Sequence, residues 1–193
     1  MKKIFSTALQ YILRQAAKPA AIYFLSIWSF VEAWFIIPIP PDVILAPMTL
    51  AKPSKAFFYA NITTISSILG GCVGFIIGMF AIDYAMGVIN TLNLQGYYDQ
   101  ALEWFSVWGS AVILIAGFTI IPFKVFTIMA GAMKMNFFLF LLAATLSRGA
   151  RFHLVSYAAK IGGEKGMDAI MKYIDKIGYL IILIFIVILI MSY

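Results

Sequence analysis

The chain is short of almost everything that polar chemistry uses. Of its 193 residues one is cysteine, Cys72, and one is histidine, His153. A lone thiol excludes an intramolecular disulfide, and one thiol with one imidazole cannot close a structural zinc site. Charge is scarce as well: 8 acidic and 14 basic residues, 11% of the chain, stand against 63% hydrophobic residues and a mean hydropathy of +0.98. So little polar surface cannot cover a soluble globule, and the composition predicts an all-α, polytopic integral membrane protein. There is no Gly-x-Ser-x-Gly elbow, a single histidine cannot serve a two-histidine phosphatase, and no ligand cluster is evident. The chain is therefore not expected to be an enzyme or to hold a metal or cofactor.

The net charge of +6 does not point to nucleic acid, because the basic residues are sorted by loop and are not interleaved with aromatics on a polar surface. They read as topology signals. Residues 1–18 carry Lys2, Lys3, Arg14 and Lys18 without an acid, whereas 83–108 carry Asp83, Asp99 and Glu103 without a base. By the positive-inside rule the N-terminus is cytoplasmic and 83–108 lies outside. No compact apolar core followed by a cleavage site marks a signal peptide, so the start is expected to be retained. Residues 4–17 have amphipathic helical spacing, fitting an interfacial helix over 1–18 or an ordinary polar leader. Apolar runs long enough to span, about 18 residues or more, cover Pro19 to Ile37, Ala56 to Ile82 and Ile177 to Tyr193. A fourth, Phe137 to Ala159, contains two arginines.

Between Glu32 and Asp42 the sequence reads Glu-Ala-Trp-Phe-Ile-Ile-Pro-Ile-Pro-Pro-Asp. Acids at membrane depth cost roughly 2.5 kcal/mol or more, and they mark bundle interiors or wet cavities. Pro38, Pro40 and Pro41 remove donors and stop a helix, which lipid tolerates only where protein or water satisfies the freed backbone groups. Ten residues follow, Asp42 to Ala51, before Lys52-Pro53-Ser54-Lys55 closes the run. At 1.5 Å per residue they reach about half of a ~30 Å core, the length of a half-helix. The shape recurs: Gly109 to Ile121 is a short apolar run, Pro122 interrupts it, and Phe123 to Met133 precedes Lys134-Met135-Asn136. Laying Pro122 over Pro40 sets Lys134 opposite Lys52 and Lys124 opposite Asp42. One intervening crossing would make the two copies inverted, each a proline-broken re-entrant hairpin (about 30–51 and 109–133) followed by a transmembrane helix. A linker over 161–176 and a C-terminal transmembrane helix over 177–193 complete the expected order. Discontinuous helices in inverted repeats are a transporter signature, since half-helix N-termini present positive dipole ends near the midplane.

Asp42 has a plainer reading as an N-cap carboxylate on its own helix. Arg148 and Arg151, three apart, project from nearly one face of the fourth run. They demand anionic company, either Glu32 and Asp42 or a phosphate, which suits the guanidinium fork. Snorkelling is the plainer reading for Arg151. His153 reads as a packed or interfacial side chain before a proton relay. Gly70, Gly74 and Gly78 permit close helix approach, within the bundle or between two copies. Tyr97, Tyr98, Trp104 and Trp108 suit an interfacial belt.

Glu32 to Pro41, the run "PPDVILAPMTLAKPSKA", Gly70-Gly71-x-x-Gly74, "IPFKVFTIMAGA" and Ser147-Arg148-Gly149-Ala150-Arg151-Phe152 occur in that order. Together they resemble the DedA family, relatives of the VTT-domain (SNARE-associated Golgi) proteins, over roughly residues 20–160. The resemblance implies bacterial inner-membrane proteins that move phospholipid or undecaprenyl phosphate across the bilayer, with proton coupling proposed. It also implies that Glu32, Asp42, Arg148 and Arg151 are the functional residues; Lys124 joins these candidates by its place opposite Asp42 in the second repeat. Membrane lipids, through a phosphate head group, and protons are the expected partners. A non-transporting scaffold with a structural ion network, or a small-solute secondary transporter, is the alternative.

Overall fold

Three helix starts in this chain directly follow a proline. The computed structural model describes residues 15–35, 39–92, 95–119 and 122–163. The expected interfacial helix for the most part, Pro38, the 161–176 linker beyond Gly163 and the 177–193 span lie outside them. Helix α1, Ala20–Glu32, follows Pro19, whose fixed φ suits a helix start. It is 13 residues long, about 20 Å, and stops well before the prolines. Leu25, Ser29 and Glu32 are its buried face, spaced i, i+4, i+7. The Trp28 indole N–H then donates to the Ile39 carbonyl at 3.2 Å, tying the broken segment back on α1.

Helix α2, Asp42–Ala51, starts directly after Pro41, and Lys52 to Lys55 turn the chain into α3, Ala56–Thr91. Helix α3 has 36 residues, is mostly apolar, and runs past Ile82. Next come α4, Gln95–Phe118, then α5, Phe123–Ala132, directly after Pro122. Last is α6, Phe137–Gly163, whose first turn is capped by the Asn136 side chain accepting from the Phe138 and Leu139 amides at 3.0 and 3.2 Å. Every element among the described residues is helical. Among the described residues three stretches are long and apolar enough to cross a membrane: Pro53–Thr91, Tyr98–Phe118 and Phe137–Gly163. The protein is an all-helical membrane protein.

Two expectations need correction. The apolar run read as short from Gly109 is the second part of a longer helix: α3 continues to Thr91, and α4 is one helix from Gln95 to Phe118. Asp99 and Glu103 sit on its exposed side, where a charge does not interrupt a helix. The second concerns register. The ten-residue helices α2 and α5, and the long helices that follow them, are offset by 81 residues (123 − 42 and 137 − 56). This overlays Pro122 on Pro41, not Pro40, and sets Lys124 opposite Val43. Only the last proline of the first cluster directly precedes its helix, so it alone marks the start.

Gly70, Gly74 and Gly78 of α3 face inward, not toward a second copy. A Cβ on Gly70 would fall on the Phe30 carbonyl of α1, and one on Gly78 on the Ile128 carbonyl of α5. Gly131 of α5 meets the Phe75 carbonyl of α3 in the same way, so α3 and α5 cross backbone to backbone through reciprocal glycines. Gly78→Leu is accordingly expected to lower stability by about 3 kcal/mol. Gly87→Leu, where a Cβ meets nothing, should stay within about 0.5 kcal/mol. Denaturant titration of the purified chain in detergent reads both.

Candidate functional site: a buried five-charge cluster between the helix breaks

Glu32 is the final residue of α1, and its carboxylate lies between two cations. Arg148 Nη2 donates to Oε2 at 3.1 Å, and Lys124 Nζ stands 3.4 Å from Oε1. Lys124 comes from the first turn of α5, so the end of one helix and the start of another meet through one carboxylate. Alone, an anion at a helix C-terminus and a cation at an N-terminus each oppose the helix dipole. Together they offset one another. Thr127 Oγ1, one turn along α5, lies 2.9 Å from the Lys124 carbonyl and 3.3 Å from the Ala33 carbonyl, holding this junction.

Arg148 is positioned from three sides. Its Nε–H donates to Ser67 Oγ of α3 at 2.9 Å, and its guanidinium carbon lies 4.9 Å from the Phe123 ring and 4.6 Å from the Phe152 ring. A guanidinium held against two rings keeps its charge while losing water, since the ring faces carry negative quadrupole density.

Arg151 closes the second pair. Its Nε and Nη2 both donate to Asp42 Oδ2, at 3.1 and 2.6 Å. Its Nη1 donates to the Phe118 carbonyl at 3.4 Å and to that of Thr119. These carbonyls terminate α4 before Pro122, so Arg151 joins the start of α2 to the end of α4. A cation there is favourable with the α4 dipole, and Asp42 in the first turn of α2 is favourable with its own. Arg151 is thus buried and paired, not snorkelling.

Nor is Asp42 an N-cap. Pro41 holds that position, and no side chain caps the helix. Among the described residues, Asp42 Oδ1 is buried with no hydrogen-bond partner, as is the Trp34 indole N–H. All five charged residues are 3 to 8% exposed. The predicted residues Glu32, Asp42, Lys124, Arg148 and Arg151 are therefore one buried group, with Pro41 and Pro122 at the helix starts beside it and Pro40 one residue before. His153 is not part of it: the ring is half-buried, its Nδ1 is 2.8 Å from the Gly149 carbonyl, and it stands edge-on to Phe57.

Sequence reasoning missed Ser67, the flanking Phe123 and Phe152, and the Phe118 and Thr119 carbonyls. Ser67 left a signal: Thr63, Ser67, Gly70, Gly74 and Gly78 form one small and polar face on an otherwise apolar helix. The carbonyls left none, because every residue type carries one.

Comparison with other proteins gives two close relatives. The chain is 41% identical over 182 residues to an uncharacterized protein of Haemophilus influenzae, covering 94% of each. It is 40% identical over 186 residues to an uncharacterized protein of Histophilus somni, covering 96% of this chain and 97% of that one. No protein-family model and no solved structure matches the chain.

Proposed function

The chain belongs to one family with these Haemophilus influenzae and Histophilus somni proteins, and for it we propose a lipid transporter or scramblase of the DedA kind, acting on a lipid with a phosphate head group. One observation carries the reading: Arg148 and Arg151, three apart on α6, bring two buried guanidiniums together beside the helix breaks, with Lys124 in the same cluster. Cations gathered at membrane depth mark a site for an anion. Phosphate is the anion that a guanidinium fork binds in bidentate fashion. Phospholipid and undecaprenyl phosphate both present it, with tails that remain in lipid while the head group crosses.

In this arrangement the carboxylates occupy the arginines while no substrate is bound. Protonation of Glu32 or Asp42 would release its arginine for phosphate, which makes the cycle proton-linked. The proposal places α2 and α5 as the inner limbs of two re-entrant hairpins entering from opposite faces. Their matching lengths and the constant offset of 81 residues support it. Multiple crossings of a bacterial inner membrane, with a cytoplasmic N-terminus, complete the reading.

A second reading has its own support. Both arginines have complete internal ion pairs, as expected of a scaffold whose charges only fix the packing of broken helices. Reconstitution separates the two. Liposomes containing the purified chain should move fluorescent phospholipid or polyprenyl phosphate between leaflets well above protein-free liposomes. Flux equal to the protein-free rate, for both lipids and with either sign of pH gradient, would leave the scaffold.

A further inference from the structure

Away from the charge cluster, the start of α3 and the end of α6 leave a groove of about 440 Å³ between them. Phe57 and Ala60 form one wall; Ala150, His153, Leu154 and Lys160 belong to the other. We propose that this groove seats one acyl chain of an anionic phospholipid, with the head group on Lys160.

Four observations carry the assignment. The first is depth: from Ala150 to Lys160 the groove follows ten residues of α6, about 15 Å, half of a ~30 Å hydrocarbon core and so the depth of one leaflet. Charge is the second. Lys160 lies at the groove, Lys55 directly precedes the α3 wall and is exposed, and among the described residues no acidic side chain lines the space. Among the described residues neither lysine makes an ion pair. The groove therefore presents an apolar floor with a basic end, the complement of an anionic lipid and not of a zwitterionic one.

The third is rigidity of the walls. Ser156 Oγ donates to the Ala56 carbonyl at 2.9 Å and is itself 2.9 Å from Thr49 Oγ1, so α2, α3 and α6 are pinned together at the groove. A cleft of about 440 Å³ between pinned walls has the size of a small-ligand site. Last, two other occupants lack the charge. A second copy docking by a two-fold axis would bring Lys55 and Lys160 toward their own images. Residues 177–193, apolar and close in sequence, contain no acid.

The site does not rest on the transport reading. Arg148, Arg151 and Val155 are on the buried face of α6, whereas Leu154, Tyr157 and Lys160 are exposed. It would hold whether or not the protein moves lipid.

A benzophenone residue in place of Leu154 tests the assignment, in the full chain placed in nanodiscs of phosphatidylcholine and phosphatidylglycerol. Irradiation should yield phospholipid adducts enriched in phosphatidylglycerol over the bulk ratio. Lys160→Ala should reduce that enrichment about fivefold, Lys160→Arg should keep it, and Ala150→Trp should remove the adduct by filling the groove. Ala150 and Lys160 are exposed, so neither change disturbs the packed interior. Adducts that follow bulk composition regardless of Lys160 would overturn the proposal. So would a cross-linked dimer, or an internal cross-link to 177–193.

Discussion

Arg151→Ala should lower the unfolding free energy by about 3–5 kcal/mol, more than Arg148→Ala. The reason is what each truncation leaves behind. Removing Arg151 strands Asp42, 3% exposed and with Oδ1 already unpartnered, and takes the donor from the Phe118 and Thr119 carbonyls. Removing Arg148 leaves Glu32 still 3.4 Å from Lys124. A stranded carboxylate in an apolar interior has no such second cation, and its full desolvation cost appears in the measurement. Adding Asp42→Asn to Arg151→Ala should recover part of the loss, since it deletes the stranded charge and keeps the shape. Denaturant titration in detergent checks the series. Losses for the two arginines equal within about 0.5 kcal/mol would contradict the unequal pairing.

Arg148→Lys should cut lipid flux tenfold or more while leaving the protein folded. Lysine retains the charge opposite Glu32 and so avoids the cost of a broken pair. It cannot keep the Nε–H bond to Ser67, the planar contact with Phe123 and Phe152, or a bidentate grip on phosphate. A scaffold needs the charge, whereas phosphate recognition needs the fork. The two readings therefore diverge in one variant: flux measured at equal incorporated protein should fall, with a loss of stability of about 1–3 kcal/mol. Flux unchanged from the wild type would remove Arg148 from substrate binding. The same stability loss with no wild-type flux to begin with would favour the scaffold.

Much of the site was legible as residue types. Acids and arginines in a chain that is 63% hydrophobic draw attention because lipid selects against them, and a proline before a ten-residue apolar run announces a short helix. Partner choice was not legible. Glu32 and Arg148 are 116 residues apart, Asp42 and Arg151 are 109 apart, and either acid could have faced either arginine. The role of Asp42 turned on the same point. A carboxylate in the first turn of a helix reads locally as a cap, and a guanidinium from a distant helix displaced that reading.

Helix α4 was legible only in part. Its apolar run was read as short and starting at Gly109, whereas the helix starts at Gln95. The fold weighs charge by face: Asp99 and Glu103 lie exposed on a continuous helix. The glycine series of α3 was left open between a dimer contact and an internal one, since spacing shows that a helix has a smooth face but not what approaches it.

By itself the sequence determined the membrane class, the helix starts after Pro19, Pro41 and Pro122, and the small set of ionisable residues placed where lipid would be. Those properties follow from local sterics and from transfer energies, which each residue carries wherever it lies. Tertiary structure alone decided that Glu32 sits between Arg148 and Lys124, that Asp42 keeps one oxygen unpartnered, and that the glycines of α3 receive α1 and α5. An ion pair or a backbone crossing exists only when separate elements reach the same place, and closing the intervening chain is a property of the whole fold.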